Sequence, residues 1–120
     1  MADNTAGQTI VNGIDQSGAQ YATGKITYDS TAITATDYTR VFTGFKPRYI
    51  RWTNLTDRTV IEWQEGFGAN ECLKTIAAGT KTLDTTAAAV VVDNAGFRIL
   101  QNATLAAILA SKVCYWEARG

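Results

Sequence analysis

The chain has 120 residues, of which 46% are hydrophobic and 18% charged, and its 11 basic and 11 acidic side chains give no net charge at pH 7. This length predicts one small domain with a single core. The absence of histidine removes the most common general base and metal ligand near neutral pH. A chain without excess positive charge is also a poor candidate for following a nucleic-acid backbone.

Residues 1 to about 30 are polar and punctuated by glycines, with few apolar side chains. Such a segment cannot bury enough apolar surface to fold alone. It is interpreted either as a disordered tail or as an extended arm that becomes ordered against something else, including a neighbouring subunit. The chain is therefore divided into an arm, residues 1–30, and a domain, residues 31–120. The apolar residues of the arm expected to contact a partner are Ile10, Val11 and Ile14.

The clearest strand pattern is a hairpin formed by residues 48–54 and 58–64. The register that joins the apolar faces of the two strands also places Arg51 opposite Glu62 on the solvent face. Because a slip of one residue would expose tryptophan side chains, this register is strongly favoured. The apolar side chains that share these faces are Ile50 and Trp52 on the first strand, and Ile61 and Trp63 on the second.

Further strands are predicted along the rest of the chain. A weaker hairpin is expected from residues 72–76 and 80–83, and the alternation over residues 112–118 indicates a closing strand. The continuous apolar run Val90–Val92 predicts a strand in the middle of a sheet. Residues 93–96 have the composition of a tight turn.

Leu105, Ile108 and Leu109 stand at helical spacing and predict one short helix near residues 103–110. The other elements predict an all-β fold, a small antiparallel β-sandwich or barrel of six to eight short strands with an extended N-terminal arm. No membrane-spanning stretch or signal peptide is recognised in the sequence.

The motifs that would carry chemistry fail on inspection. Gly18 to Lys25 lacks the spacing and the Ser or Thr of a phosphate-binding loop, and the glycines at 66 and 68 open no βαβ unit. The serines have no histidine partner. We therefore predict no catalytic residue, no cofactor and no metal site, and a protein that is not an enzyme. Cys72 and Cys114 are interpreted as core thiols, with their pairing left open.

Basic side chains are concentrated between residues 40 and 58, where Asp57 is the only acid. This segment is either an ordinary solvated face or an interface for an acidic partner, with direct nucleic-acid contact not expected. The in-phase tryptophans favour core packing over an aromatic binding platform. The basic cluster contains Arg40, Lys46, Arg48, Arg51 and Arg58, and the expected partner contacts are Arg40, Lys46, Arg48 and Arg58.

Three segments together resemble small β-sandwich virion proteins of tailed bacteriophages. They are residues 42–50 (FTGFKPRYI), residues 93–97 (DNAGF) and residues 113–118 (VCYWEA). The resemblance covers about residues 36–119, whereas residues 1–35 match no known pattern. Members of that group resemble capsid decoration proteins or modules of tails and fibres.

The resemblance implies a capsid decoration or cement protein that binds the outside of a phage head through its arm and a basic face and stabilises the shell. The expected partners are the major capsid protein or other virion proteins, and further copies of the chain, with a trimer suggested by analogy. The protein would be assembled in the host cytoplasm and located in the virion, without membrane contact. The alternatives are a neck, tail or fibre-associated structural protein, or a carbohydrate-binding module that uses Tyr21, Tyr28, Tyr38 or Phe67.

Overall fold

A computed structural model describes residues 3–15, 20–102, 108 and 110–120, with the backbone alone for residues 12–15. The described part is all-β, as predicted, and contains ten strands. The strands are β1 (Gln8–Asp15), β2 (Tyr21–Tyr28), β3 (Tyr38–Phe42), β4 (Tyr49–Asn54), β5 (Thr59–Gln64), β6 (Cys72–Thr75), β7 (Lys81–Asp84), β8 (Val90–Asp93), β9 (Gly96–Leu100) and β10 (Val113–Arg119).

The strands form two antiparallel sheets, consistent with a small sandwich. The larger sheet has seven strands in the order β1-β2-β10-β4-β5-β6-β7, and the smaller has three in the order β3-β9-β8. The ten strands exceed the predicted six to eight because the segment before residue 30 contributes two of them. The helix predicted near residues 103–110 lies almost entirely outside the described residues, apart from Ile108 and Ala110.

The core lies between the two sheets and is built by alternation along the central strands. Ile26 on β2, Ile50 and Trp52 on β4, and Trp116 on β10 are all buried. Phe97 of β9 meets Trp116 edge to face, with ring centroids 5.6 Å apart. Full burial of each such side chain stabilises the fold by about 1.5–3 kcal/mol, so this contact between sheets anchors the sandwich.

The β4–β5 hairpin has the predicted register. Arg51 pairs with Glu62, and the two tryptophans pair with isoleucines on the inner face. Trp52 is fully buried and Trp63 packs partly buried against the same core. Core packing of the tryptophans is therefore confirmed, and the β6–β7 hairpin and the closing strand β10 also form where predicted.

The N-terminal segment differs from the extended arm expected for residues 1–30. Strands β1 and β2 form a hairpin within the chain's own seven-stranded sheet, and β2 lies between β1 and β10. Ala22, Ile26 and Tyr28 are buried. Gly24 leaves the space that the Trp116 ring fills, since a Cβ at residue 24 would lie 2.5 Å from that ring. The few apolar residues of β2 are therefore enough to hold this segment in the sheet, because β10 supplies the rest of the packing.

The central position predicted for Val90–Val92 is wrong. These residues form β8, which pairs with β9 alone and is an edge strand of the smaller sheet. Val90 is buried but the side chain of Val91 is 38% exposed. The continuous apolar run thus did not distinguish an interior strand from an edge strand. The three-stranded sheet has only one interior position, and β9 occupies it.

Buried polar groups also join the two sheets. The Tyr28 hydroxyl on β2 lies 2.6 Å from Oγ1 of Thr39 on β3, and this oxygen donates to Oε1 of Gln101 at 3.0 Å. Burial raises the pKa of the Tyr28 phenol. Pairing these groups avoids the cost of leaving them buried without partners.

Both cysteines are free and buried, which answers the question of their pairing. Burial raises the pKa of the Cys72 thiol to about 11 and that of the Cys114 thiol to about 12. A thiol with a raised pKa is a poor nucleophile near neutral pH, so both act as core side chains. The described part of the chain includes no helix long and apolar enough to cross a bilayer.

Candidate functional site

An open depression of about 520 Å³ lies on the outer face of the seven-stranded sheet, across β1, β2, β10 and β4. Its position follows from strand alternation, because the residues that flank each buried side chain face outward. The lining combines apolar, aromatic and charged side chains from strands that are far apart in sequence. It consists of Val11, Thr23, Gly24, Lys25, Arg51, Tyr115, Trp116 and Glu117.

Strand pairing arranges the lining in two rows across the sheet. In one row Val11 pairs with Lys25, and Lys25 pairs with Tyr115. The Lys25 ammonium lies 5.8 Å from the centroid of the Tyr115 ring, within cation–π range. The next row contains Thr23, Glu117, Arg51 and Glu62 in that order. Arg51 therefore stands between two glutamates.

Both oxygens of the Glu117 carboxylate already bind neighbouring side chains. The Tyr21 hydroxyl donates to one oxygen at 2.9 Å, and Arg119 lies 3.0 Å from the other. The hydrogen bond to Glu117 raises the pKa of the Tyr21 phenol. Among the described residues, Lys25 and Arg51 form no ion pair within 4 Å. The charge that the depression offers to a ligand is therefore positive.

A smaller cleft of about 310 Å³ is lined by Gln20, Phe45, Lys46, Arg48 and Glu65. It contains two of the predicted partner-binding residues. Arg48 lies 3.4 Å from Glu65, with both side chains largely exposed. An exposed pair of this kind contributes at most about 1 kcal/mol, so Arg48 can exchange this partner for another.

The apolar residues predicted for partner binding lie on β1. Val11 is 61% exposed and lines the depression, and Ile10 is 37% exposed. Ile14 takes part in β1 through its pairing with Ala22, but its side chain is outside the described part of the molecule. These residues belong to an edge strand of the sheet.

The prediction that Arg40 belongs to an exposed basic face is wrong. Its side chain is buried, and its guanidinium nitrogens lie 2.7 and 2.8 Å from the two carboxylate oxygens of Asp93. This pairing holds the pKa of Asp93 at about 2. The guanidinium also lies 4.6 Å from the Phe42 ring centroid. Arg40 thus clamps β3 to the turn between β8 and β9, because a buried guanidinium requires a paired carboxylate.

The remaining predicted basic residues are exposed but do not share one surface. Lys46 and Arg48 line the smaller cleft just before β4 begins. Arg58 has a φ of 57° in the turn after β4 ends. The six residues of β4 separate these positions by about 20 Å at 3.3 Å per residue. The sequence cluster is thus split between opposite ends of one hairpin.

Sequence reasoning missed most of the depression. Lys25 and Tyr115 become neighbours only through the pairing of β2 with β10. The alternation over residues 113–118 did place Tyr115 and Glu117 on one face, but no local pattern identified the strand beside them. Of the aromatic residues proposed for sugar binding, Tyr28 is corrected because it is buried, whereas Tyr38 and Phe67 are half-buried and Tyr21 is exposed.

No group of three or more His, Cys, Asp or Glu side chains within the described ranges could hold a metal ion. Comparisons with protein-family models, with curated proteins and with solved structures find no match to this chain.

Proposed function

We propose that this chain is a structural protein of a tailed-bacteriophage particle that binds the outside of the head and stabilises the shell. The observation that carries the proposal is that the three segments that resemble virion proteins contact one another in the fold. Thr43 and Gly44 donate backbone hydrogen bonds to the carbonyl of Ala95, at 2.9 and 3.2 Å. The closing segment pairs Ala118 with Ile50.

The resemblance is thus supported by spatial contact as well as by sequence. Gly96 in the second segment is required by packing, since a Cβ there would lie 2.1 Å from the carbonyl oxygen of Val41. Its φ of 158° is also one that side chains rarely allow. The close approach of these segments therefore restricts which residue can stand at position 96.

The outer-face depression supplies the surface for a coat protein. Its available cations, Lys25 and Arg51, lie beside the exposed apolar side chain of Val11 and the ring of Tyr115. This combination fits an acidic segment with an apolar or aromatic residue, because oppositely charged surfaces attract and the apolar contact excludes water. The proposed contact therefore moves from the predicted basic face to this depression.

The test is the binding of purified protein to phage heads that lack it, followed by cosedimentation and mass-spectrometric counting of copies per coat protein. Head decoration gives saturation at a simple ratio to the coat protein and raises the temperature at which heads release DNA. Saturation at a few copies on one vertex would instead assign the chain to the neck, tail or fibre. Failure to bind any part of the particle would contradict the proposal.

Charge reversal locates the contact. The double variant Lys25→Glu with Arg51→Glu is expected to lose head binding, since it places three acidic groups in the depression, Glu117 included. The matched control is Lys46→Glu with Arg48→Glu, which changes the net charge equally in the smaller cleft. Equal binding by both variants and the wild type would exclude a basic contact.

A carbohydrate-binding role is the second candidate, and the depression also favours it. The Tyr115 side chain is 39% exposed and stands beside Thr23 and Glu117, so a ring and polar groups converge as in sugar sites. Glycan-array binding by the wild type that is lost in Tyr115→Ala would select this function. Head binding without glycan binding would reject it.

A further inference from the structure

The edge of β1 that faces away from β2 presents backbone groups that the described part of the chain leaves unpaired. The Asp29 N–H donates to the carbonyl of Gly7 at 2.6 Å, so hydrogen-bonded pairs with β2 recur at Thr9, Val11, Gly13 and Asp15. The N–H and C=O groups of the intervening residues point away from β2. Among the described residues none pairs with this edge. The residues that present it are Gln8, Ile10, Asn12 and Ile14.

The other sheet edges are short, charged or covered. Strand β7 has four residues, with Lys81 and Asp84 at its ends, and β8 has four residues and ends at Asp93. At β3, the Asn4 N–H donates to Tyr38 at 3.0 Å and the Asn4 side chain accepts from the Arg40 N–H at 2.9 Å. These are devices that prevent strand addition.

Strand β1 is twice as long as β7 or β8 and lacks these devices over its first seven residues. It has eight residues, QTIVNGID, with no proline, lysine or arginine and with its single charge at Asp15. A long uncharged edge is a template for another strand. We infer that the edge of β1 pairs antiparallel with β1 of a second copy of this chain, about a twofold axis, which joins two seven-stranded sheets into one.

A second copy fits this edge because the edge is complementary to itself. A twofold axis at Val11 pairs Ile10 of one copy with Asn12 of the other, and Gln8 with Ile14. This register engages every outward-directed residue, whereas an axis at Ile10 or Asn12 leaves some unpaired. No charged residue opposes a like charge, because residues 8–14 are uncharged. The two Val11 positions face each other at the axis in a closely spaced pair.

The expected partner number is therefore two, in place of the trimer suggested by analogy. A contact in which the same patch serves both subunits closes with two copies. An interface of one strand edge per copy belongs to the class below about 1,200 Å² of buried surface, which is weak. The dimer would form at high concentration, and it would join the two outer-face depressions across the axis.

Analytical ultracentrifugation of the full-length chain tests the inference without phage particles, so its result is independent of the proposed function. The average mass should rise with concentration from 13.0 kDa towards twice that value and no further. Ile10→Pro removes an edge N–H without removing a β1–β2 hydrogen bond, and proline is tolerated at such a position. The substitution removes this N–H from both copies of the dimer. It should weaken their association at least about tenfold, or ~1.4 kcal/mol.

Two further variants separate the backbone from the side chain. Ile10→Ala keeps the edge N–H and should retain more of the association than Ile10→Pro does. Val11→Glu places a carboxylate beside Lys25 within each hairpin but sets two carboxylates opposite each other at the axis. It should weaken the dimer without unfolding the monomer, and added salt should partly restore association.

A wild-type chain that stays monomeric at every concentration would overturn the inference, and so would a trimer. Equal association by Ile10→Pro and wild type would also overturn it. A monomeric chain whose Ile10→Pro variant fails to bind heads would show that the edge accepts a strand from a coat protein, which contradicts pairing between copies.

Discussion

The two ends of the seven-stranded sheet differ in both burial and protection. The β1–β2 end contributes Ala22, Ile26 and Tyr28 to the core, yet finishes in a long uncharged edge. The β6–β7 end contributes Cys72, finishes in a short charged strand and leaves Leu83 exposed. The smaller sheet explains the difference, since its contacts from Thr39 and Phe97 fall on β2 and β10. How much an end of the sheet contributes to the core and how open its edge strand is to pairing are thus set independently.

The largest expected effect comes from truncating the core at the β2 end. Ile26→Ala should destabilise the protein by about 2–5 kcal/mol, because it leaves a cavity beneath the smaller sheet. Leu83→Ala at the opposite end is the matched control and should change the free energy of unfolding by less than about 0.5 kcal/mol. Urea denaturation measures both. Similar losses from the two variants would show that the ends are equally embedded.

A medium effect is expected from the buried hydroxyl that links the sheets. Tyr28→Phe should cost about 1–3 kcal/mol, since the Thr39 hydroxyl loses a buried partner. Tyr21→Phe removes an exposed hydroxyl bound to Glu117 and should cost less than about 0.5 kcal/mol. If the two variants unfold at the same urea concentration, the link between β2 and β3 does not matter for stability.

The smallest effect concerns acid stability, through the clamp that holds the smaller sheet. Because the pKa of Asp93 is lowered from 3.8 to about 2, its contribution is fully present above pH 3.8 and is lost as the pH falls through 2. Asp93 is half-exposed, so screening reduces the contribution to about 1 kcal/mol. Between pH 5 and 2 the melting temperature should fall more with decreasing pH in the wild type than in Asp93→Asn. Parallel curves would contradict the clamp.

Local sequence patterns predicted the elements whose partners are close in sequence. The β4–β5 hairpin follows from the matching faces of two adjacent strands, and the turn at residues 93–96 follows from Asp93, whose carboxylate accepts from Ala95 and Gly96. In both cases the decisive contacts lie within a few residues, so the local pattern contains the information.

Elements completed by distant residues could not be predicted in this way. The segment of β2 looked too polar to fold because its partner, Trp116, lies at the far end of the chain. Arg40 looked like a surface cation because Asp93 is 53 residues away. The depression was missed for the same reason, since Lys25 and Tyr115 meet only across the β2–β10 pairing.

The most direct test of the β1 edge is amide hydrogen exchange measured by NMR at low and high protein concentration. The amides of Thr9 and Val11, which bond to β2, should be protected at both concentrations. Those of Gln8 and Ile10 should exchange freely in dilute solution and become protected as the concentration rises, which gives an alternating pattern. Free exchange at Gln8 and Ile10 at every concentration, or uniform protection along β1, would contradict pairing of this edge with a second copy.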